Sequence, residues 1–559
     1  MRRPARCLLA VLVAAMFGQA AQNLPNGAGE QDSRLTTAIP LGLTELWSGS
    51  LAKGQSQWFV LKMTKGSFAR LRVGLEHGYV QAHLFPPGAM TAAERTYAAE
   101  TDVKDSVLAW AAASSGNYLL QVEANLPSQK VCVQLEGLES PELYAARAAA
   151  VKTDPRVRSL SDHMLRWNSL DPESDDLADL RPLGELLKGV RIVLLGEASH
   201  FDGTDFLAKT RLIQFLHREL GFDVLAFEAG IYQMRLAWQA FQTGVDPQEA
   251  FSKGAFWMWA RSAQVEPLVR HIARSLKTDR PLEISGVDNQ ISSAELPQNL
   301  RDFLKGKDIA TSFTDPASPE SEILAAVVGS QSRKGARSLL DSATKVSFLE
   351  SLGQLADKIG QLEPGRDASF WHQVLANVAQ YARRRLSLLD QPGTIPRDRQ
   401  MAENLIWMAK DYYPGRKIIV WCHSGHAIRV PSKLPANPIP LQTTLADYVY
   451  DVFGQEMYSI APVSYGGRWA YGGLDYTVVS DQVPDAEFEE LMAATGQIAA
   501  FVDLRQIGKR AHWLAGPFVA RPWEHVSIRS VWRDHFDAFV FLKEQEPSKI
   551  RISPGKSLD

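Results

Sequence analysis

Continuous apolar runs alternate with helix-like segments through the central part of the chain. Residues 192–195 form a run of branched apolar side chains, which predicts a strand buried on both faces. Residues 205–220 carry apolar side chains at helical spacing and end at Gly221, a residue typical of helix C-termini. The next apolar run lies at residues 224–227. This order of strand, helix and strand predicts a parallel unit, in which ligands bind beyond the carboxyl ends of the strands.

The same pattern recurs toward the C-terminus. Residues 282–287 and 418–421 are further runs of the buried-strand type, and shorter strands are predicted at residues 457–461 and 538–542. We therefore predict an α/β catalytic domain over residues 161–545, with a largely parallel or mixed sheet flanked by helices.

The N-terminal part has a different periodicity. Residues 37–139 consist of short alternating runs separated by Gly, Ser and Pro turns, which predicts an all-β jelly-roll sandwich with an accessory or binding role. Within it, residues 54–61, 108–110 and 116–122 resemble the small pre-peptidase C-terminal-type domains of secreted enzymes. The Ala- and Arg-rich residues 140–160 are helical in character and are predicted to link the two domains.

The extreme N-terminus carries the pattern of a secretory signal. Arg2, Arg3 and Arg6 precede an apolar run at residues 7–17, and small residues suited to cleavage follow. The run is too short for a stable membrane anchor. We therefore predict a cleaved signal peptide at residues 1–21 and a periplasmic or secreted protein without a membrane anchor; the alternative is an uncleaved, buried N-terminal helix.

Composition narrows the class of protein. A length of 559 residues predicts two or more domains, and 45% hydrophobic with 22% charged residues is typical of a globular protein. The net charge of -3 gives no support for a nucleic-acid partner. Cys132 and Cys422 fall in different predicted domains, so no disulfide is indicated. Cys422 is more typical of a small buried strand residue than of a nucleophile.

Ionisable side chains stand at the ends of the predicted strands, where parallel strands would bring them to one edge of the sheet. A helix predicted to begin with Pro396 in its first turn and to continue to Lys410 adds Arg397, with Met401 and Asn404 on the same face. The strand-end residues are Glu197, His200, Glu228, Asp288, His423 and His426.

This set of side chains supports the activation of water. A neutral His oriented by a carboxylate can take a proton from water, while an Arg or a second His stabilises the developing oxyanion. A metal site is the rival, because His, Glu and Asp are also ligands, although no familiar metal motif occurs. The sequence also lacks a Gly-x-Ser-x-Gly elbow and a phosphate loop. Ser424 is more typical of a loop serine than of a nucleophile.

Five ordered motifs in the C-terminal part of the chain resemble the signature of the erythromycin esterase family. The resemblance covers roughly residues 156–545. Two departures are Phe201, where the family usually has Gly, and Ser424 with Gly425, which replace an Asn-containing pair. The motifs are LLGEASH at 194–200, GFDVLAFE at 221–228, GVDNQ at 286–290, RDRQMAEN at 397–404 and VWCHSGH at 420–426.

The resemblance implies an α/β fold and hydrolysis of an ester, which in the type enzymes of the family is the macrolactone of an antibiotic. It also implies a water molecule activated by a histidine without an obligatory metal. The residues carried over are the base His200, the supporting residues Glu197, Glu228 and His423, and the substrate-binding residues Arg397, His426, Asp288 and Asn404.

We therefore expect an exported carboxylic-ester hydrolase that acts on a small-molecule ester or macrolactone and needs no cofactor. Two alternatives remain open. One is a metal-dependent hydrolase or peptidase at the same Glu/His cluster. The other is a periplasmic binding protein without turnover.

Residues 256–259 form an aromatic cluster. Core packing explains this cluster best, and the alternative is that it lines a pocket for an apolar ligand.

Overall fold

The computed structural model describes most of the chain. The predicted signal peptide at residues 1–21 lies outside it. The described residues are 30–75, 80–89, 97–101, 105–124, 129–329, 341–389, 393–434, 443–470, 477–480, 487–507 and 509–551.

The N-terminal region is β-rich, as its alternating periodicity predicts. One sheet has the strand order β1-β3-β8-β5-β6 and the other the order β2-β9-β4-β7. Phe59, Leu71, Val122 and Val133, drawn from both sheets, pack in one buried cluster. The strands are β1 Ile39–Pro40, β2 Leu46–Leu51, β3 Ser56–Met63, β4 Phe68–Leu75, β5 Val80–Phe85, β6 Tyr97–Thr101, β7 Asp105–Ala111, β8 Gly116–Ala124 and β9 Gln129–Glu139.

The C-terminal part is built on a large mixed sheet with the order β10-β17-β20-β15-β11-β14-β12-β13, and β16 pairs with β15. Neighbours from β20 to β13 run parallel, whereas β10, β17 and β16 pair antiparallel. Its strands are β10 Leu165–Trp167, β11 Ile192–Leu195, β12 Phe222–Gly230, β13 Glu283–Asp288, β14 Lys417–Trp421, β15 Met457–Ala470, β16 Thr477–Ser480, β17 Ala499–Asp503 and β20 Ala538–Gln545, with β18 Phe518–Ala520 and β19 Ile528–Ser530 forming a separate pair.

Helices cover the large sheet, so the prediction of a largely parallel or mixed sheet flanked by helices is confirmed. In the described part of the chain, no helix is both long and apolar enough to cross a membrane. The helices are α1 Glu30–Thr37, α2 Pro141–Lys152, α3 Pro155–His163, α4 Leu183–Leu186, α5 Gly203–Leu220, α6 Ile231–Gln242, α7 Pro247–Ser252, α8 Trp257–Ala260, α9 Glu266–Ser275, α10 Leu296–Gly306, α11 Pro319–Val328, α12 Ser342–Gly360, α13 Arg366–Arg385, α14 Arg397–Trp407, α15 Ser424–Ala427, α16 Leu445–Phe453 and α17 Glu487–Ala494.

The predicted strand–helix–strand unit forms as β11, α5 and β12. All four residues of β11 are buried, as expected for a strand covered on both faces. Gly221 ends α5 with φ 76°, a left-handed conformation that glycine adopts without a steric penalty. The strand β12 continues past its apolar run, and its register with β13 shifts between Phe227 and Gly230. Glu228 therefore lies at an irregularity within β12, a feature that re-aims side chains near active sites.

The predicted helical character of residues 140–160 is confirmed, whereas the helix predicted at Pro396 differs in detail. Residues 140–160 form the two helices α2 and α3, each preceded by a capping side chain, Ser140 and Asp154. Pro396 is the N-cap of α14 rather than a residue of its first turn. The α-helix ends at Trp407, and the helical backbone continues past Lys410 as a π-helix at Met408–Tyr412.

Candidate active site

The carboxyl ends of β11, β12, β13 and β14 bring the predicted site residues together. Glu197 and His200 follow β11, Glu228 lies near the end of β12, and Asp288 is the last residue of β13. His423 is the N-cap of the short helix α15, directly after β14. This is the edge at which parallel α/β sheets place their ligands. Arg397, at the start of α14, reaches the same edge, as its hydrogen bonds show.

Glu197 and His200 form a short carboxylate–imidazole pair. Glu197 Oε1 lies 2.7 Å from His200 Nδ1, and Glu197 is completely buried. Its other oxygen accepts a hydrogen bond of 3.1 Å from the Trp421 indole and lies 3.5 Å from Lys209 Nζ. Burial alone would raise the pKa of Glu197, but the charge of Lys209 and the hydrogen bond from His200 outweigh it and lower the pKa. The carboxylate is therefore ionised.

The hydrogen bond of Glu197 also sets the tautomer of His200. Because the carboxylate accepts from Nδ1–H, the opposite nitrogen Nε2 is left as a base. The side chain of His200 keeps 34% of its surface exposed, so Nε2 can meet water. Burial works to lower the pKa of His200, yet the hydrogen bond and charge of Glu197 raise it overall.

Arg397 ties Glu228 to Asp288. It donates through Nε and Nη2 to the two oxygens of Asp288, at 3.0 and 2.7 Å, and through Nη2 to Glu228 Oε1 at 2.8 Å. Burial would raise the pKa of Glu228, but the charges of His426 and Arg397 outweigh it and hold this pKa well below its usual range. Asp288 is completely buried, and both of its oxygens accept hydrogen bonds from Arg397.

His426 is held between two carboxylates. Its Nδ1 lies 2.7 Å from Asp398 Oδ1 and its Nε2 lies 3.1 Å from Glu228 Oε1. Burial opposes the charged ring, but the charges of Glu228 and Asp398 raise the pKa of His426 to about 10. His426 is therefore an imidazolium near pH 7. Since both nitrogens then carry protons, the 3.2 Å approach of Arg397 Nη1 to His426 Nε2 is a contact between cations and not a hydrogen bond.

His423 is oriented by the backbone of its own loop. Its main-chain N–H donates to Glu228 Oε2 at 2.9 Å, and its ring Nδ1 accepts from the N–H of Gly425 at 3.1 Å. A neutral His423 therefore carries its proton on Nε2. The ring centroid lies 4.8 Å from that of His200, which places the two imidazoles side by side.

Asn404 does not join this group. Its side chain is completely buried and donates to the Val287 carbonyl at 2.7 Å. The same amide exchanges hydrogen bonds with Asn377 and accepts others from Gln373 and Gln400. This geometry corrects the predicted role in substrate binding, because every atom of the amide is engaged in holding α14 against β13 and α13.

Cys422 and Ser424 are both completely buried. Burial raises the pKa of the Cys422 thiol well above its usual range, so the thiolate is disfavoured. These positions agree with the predicted structural roles. Among the residues that the structure describes, no group of three or more His, Cys, Asp or Glu side chains is arranged to hold a metal ion.

Several residues of the site escaped the sequence analysis. Lys209 stands on α5 and faces Glu197, and a lysine on an otherwise apolar helix face could have indicated it. Asp398, directly after Arg397, binds His426. Glu524 lies 3.1 Å from His423 Nε2. No local pattern marks Glu524, because it lies in the loop between β18 and β19, remote in sequence from the other site residues.

The family model described as Erythromycin esterase matches residues 217–545. The chain is 27% identical to the Bacillus subtilis (strain 168) protein YbfO, which carries a hydrolase name, over 77% of this chain and 98% of that protein. It is 22% identical to erythromycin esterase type II of Escherichia coli, over 68% of this chain and 96% of that protein. A crystal structure of a succinoglycan biosynthesis protein shares the fold, with TM-score 0.59 and 16% identity, covering 72% of this chain and 99% of that one.

The fold and the carboxylate–histidine cluster at its edge define an α/β protein of the hydrolase class. The family match spans more than half of the 559 residues, and the chain belongs to the erythromycin esterase family. The matched residues begin after Glu197 and His200.

Proposed function

We propose that this chain is an exported carboxylic-ester hydrolase in which His200 activates a water molecule. The observation that carries the proposal is the Glu197–His200 pair. A buried, ionised carboxylate binds Nδ1 at 2.7 Å, while a third of the His200 side chain stays open to solvent. This is the geometry of a general base that is oriented by an acidic partner.

The reaction proceeds by direct attack of water. His200 Nε2 takes a proton from the water as its oxygen bonds to the carbonyl carbon of the ester. The tetrahedral intermediate then loses the alcohol by breaking its C–O bond, and His200 returns the proton to the departing alkoxide. One ester and one water give one carboxylic acid and one alcohol, so the base is regenerated.

The neighbouring groups stabilise the charge that develops. The positive charges of Arg397 and His426 favour the oxyanion over the neutral carbonyl group. These two cations are paired with three carboxylates, those of Glu228, Asp288 and Asp398.

The substrate is an ester or a macrolactone with an apolar part. Phe201 and Trp257 lie beside the base, with ring centroids 5.5 Å apart. Trp257 keeps 41% of its surface exposed, and Trp259 touches the His200 ring edge-on. Exposed aromatic faces next to a catalytic group favour an apolar ligand surface. Within the aromatic cluster, Trp259 therefore packs in the core, whereas Trp257 is a candidate wall of the ligand site.

Hydrolysis of a panel of simple esters and macrolides tests the proposal, with and without chelator. His200→Ala is expected to lower kcat by about 10²–10⁴-fold, the usual contribution of a general base. The exposed histidine of α13 supplies the matched control, His372→Ala, which is expected to retain turnover. Turnover abolished by chelator would favour the metal-dependent alternative, and full turnover in His200→Ala would contradict the proposed role of the histidine.

Export is the second part of the proposal and is supported by the charged and apolar pattern of residues 1–21. Expression of the whole chain in a Gram-negative host, followed by mass spectrometry of the periplasmic fraction, measures it. We expect a mature N-terminus near residue 22. Recovery of uncleaved protein from the cytoplasm alone would contradict export.

A further inference from the structure

The loop between β18 and β19 crosses over the candidate active site. It is fastened there by two contacts. The backbone N–H of Glu524 donates to the Ala198 carbonyl at 2.8 Å, and His525 Nε2 lies 2.9 Å from Asp202 Oδ2. Asp202 is completely buried, and it also accepts from the backbone N–H of Ser199, beside the base. The loop is therefore anchored to the segment that carries His200.

Two consecutive residues of this loop have a backbone conformation that L-residues avoid. Glu524 has φ 44° and His525 has φ 52°, in the left-handed region that few residues other than glycine adopt. Non-glycine residues persist in this region only where the surrounding contacts impose it, and they concentrate at active sites. The strained turn directs the Glu524 side chain toward His423.

The Glu524 carboxylate has one oxygen beside His423 and one without a partner. Oε1 lies 3.1 Å from His423 Nε2, at an angle outside that of a hydrogen bond. Oε2 is shielded from solvent and accepts no hydrogen bond from the described residues. His423 Nε2 likewise has no hydrogen-bond partner among them. Buried polar atoms are normally satisfied, so a carboxylate oxygen and an imidazole N–H left free together indicate a ligand that completes both.

A water molecule fits these groups. With its proton on Nε2, His423 can donate to the water oxygen, while Glu524 Oε2 accepts one of the two water protons. The second water proton is then available to His200 Nε2, because the two imidazole rings lie side by side. The remaining lone pair of the water oxygen is free to attack a carbonyl carbon.

We propose that Glu524 is a further positioning residue of the reaction, which holds the attacking water between itself, His423 and His200. This inference deepens the proposed function and depends on it. The carboxylate does not take the proton in this scheme; it orients the water so that His200 can. Such positioning increases the reaction rate substantially, because a displacement of a reacting group by about 1 Å can lower the rate by ~10²-fold.

Two variants at this position separate charge from shape. Glu524→Gln keeps the size of the side chain but removes the carboxylate charge. Glu524→Gly suits the left-handed backbone and leaves space for an added small carboxylate. The matched control is Glu456→Gln, at a surface glutamate that pairs with Arg191 at the opposite edge of the sheet. The thermal midpoint of each variant reports whether the fold is kept.

We expect Glu524→Gln to lower kcat by about 10²-fold with little change in KM, because the neutral amide is a weaker acceptor for the water and the contacts of the ester are unchanged. Sodium formate is expected to restore part of the turnover of Glu524→Gly, whereas an equal concentration of sodium chloride restores none. Glu456→Gln is expected to behave as the wild-type protein. A structural role alone would lower the thermal midpoint and would not respond to formate.

The wild-type protein and His200→Ala, measured alongside, separate the two proposals. Loss of turnover in His200→Ala, with wild-type kcat in Glu524→Gln, overturns the role of Glu524 and leaves the esterase proposal standing. A low kcat in Glu524→Gln with no response of Glu524→Gly to formate also overturns the carboxylate role. Full turnover in His200→Ala overturns the proposed function itself.

Discussion

His426 carries a charge because of its position between Glu228 and Asp398. Each carboxylate binds one ring nitrogen, at 3.1 and 2.7 Å, so both ring protons are held in the folded protein. The same carboxylates are bound by other donors: Arg397 reaches Glu228, and the backbone N–H of Leu445 reaches Asp398. The imidazolium is therefore part of a connected network of charges, in which the loss of one proton weakens the interactions of several partners.

The charge of His426 predicts how stability depends on pH. The pKa of His426 is about 10 in the folded protein and roughly 6.5 in the unfolded chain. Its contribution to the free energy of unfolding is therefore fully present below about pH 6.5. The contribution is lost as the pH rises through about 10. We expect the thermal midpoint of the wild-type protein to fall more steeply from pH 7 to pH 10 than that of His426→Asn, measured by scanning calorimetry. Equal slopes for the two proteins would contradict this assignment.

At the scale of elements, helix α14 presents two of the charged residues of the site. Arg397 and Asp398 lie in its first turn, and Asn404 lies on the same helix and anchors it to β13 and α13. The anchor is polar and fully buried, so its hydrogen bonds exist only in the folded arrangement. The helix that carries these charges of the candidate site is thus positioned by an amide that does not contact them.

Replacing Asn404 tests this anchoring role. Asn404→Leu leaves several buried groups of α13 and β13 without partners, each at a cost of about 1–3 kcal/mol. We expect the free energy of unfolding in urea to fall by more than ~2 kcal/mol, with KM unchanged in the protein that remains folded. The preceding residue gives the control, since Glu403→Leu changes an exposed side chain that pairs with Arg399. A higher KM at full stability would instead restore a role in substrate binding.

At the scale of the whole molecule, α2 connects the β-rich region to the large sheet. Arg147 on this helix lies 3.1 Å from Glu139 Oε2 at the end of β9 and 2.8 Å from Glu490 Oε1 on α17. Its guanidinium also stacks over Phe68 and Tyr144, at 5.5 and 5.1 Å from their ring centroids. One partly buried side chain therefore contacts both regions, although α2 itself has no fully buried residue.

Arg147→Ala is expected to loosen this junction while leaving each region folded. Partly exposed ion pairs contribute about 1 kcal/mol or less, so the thermal midpoint should change little. Cleavage by chymotrypsin within residues 140–160, followed on gels, should become faster because the junction opens more often. Arg158→Ala, on the exposed face of α3, is the matched control and should show no acceleration. Equal cleavage rates in both variants would contradict the role given to Arg147.

Sequence reasoning predicted the helices and strands that carry the site better than the contacts between its side chains. The apolar run of β11 and the Gly221 cap were predictable, because burial on both faces and a left-handed cap leave local signs in the sequence. The helix spacing placed Arg397 and Asn404 on one face, but it could not decide that one faces the site and the other the core. That choice depends on the neighbouring elements against which α14 packs.

The sequence by itself determined the order of strands and helices in the α/β region, the ionisable residues at the strand ends and the family. Each of these follows from local spacing or from an ordered motif. Only the tertiary structure decided which charges pair, that Asn404 is an anchor, and that Glu524 stands beside His423. The reason is physical. Periodicity reports which face of an element is buried, whereas a contact between residues remote in sequence exists only once the sheet and the β18–β19 loop have packed together.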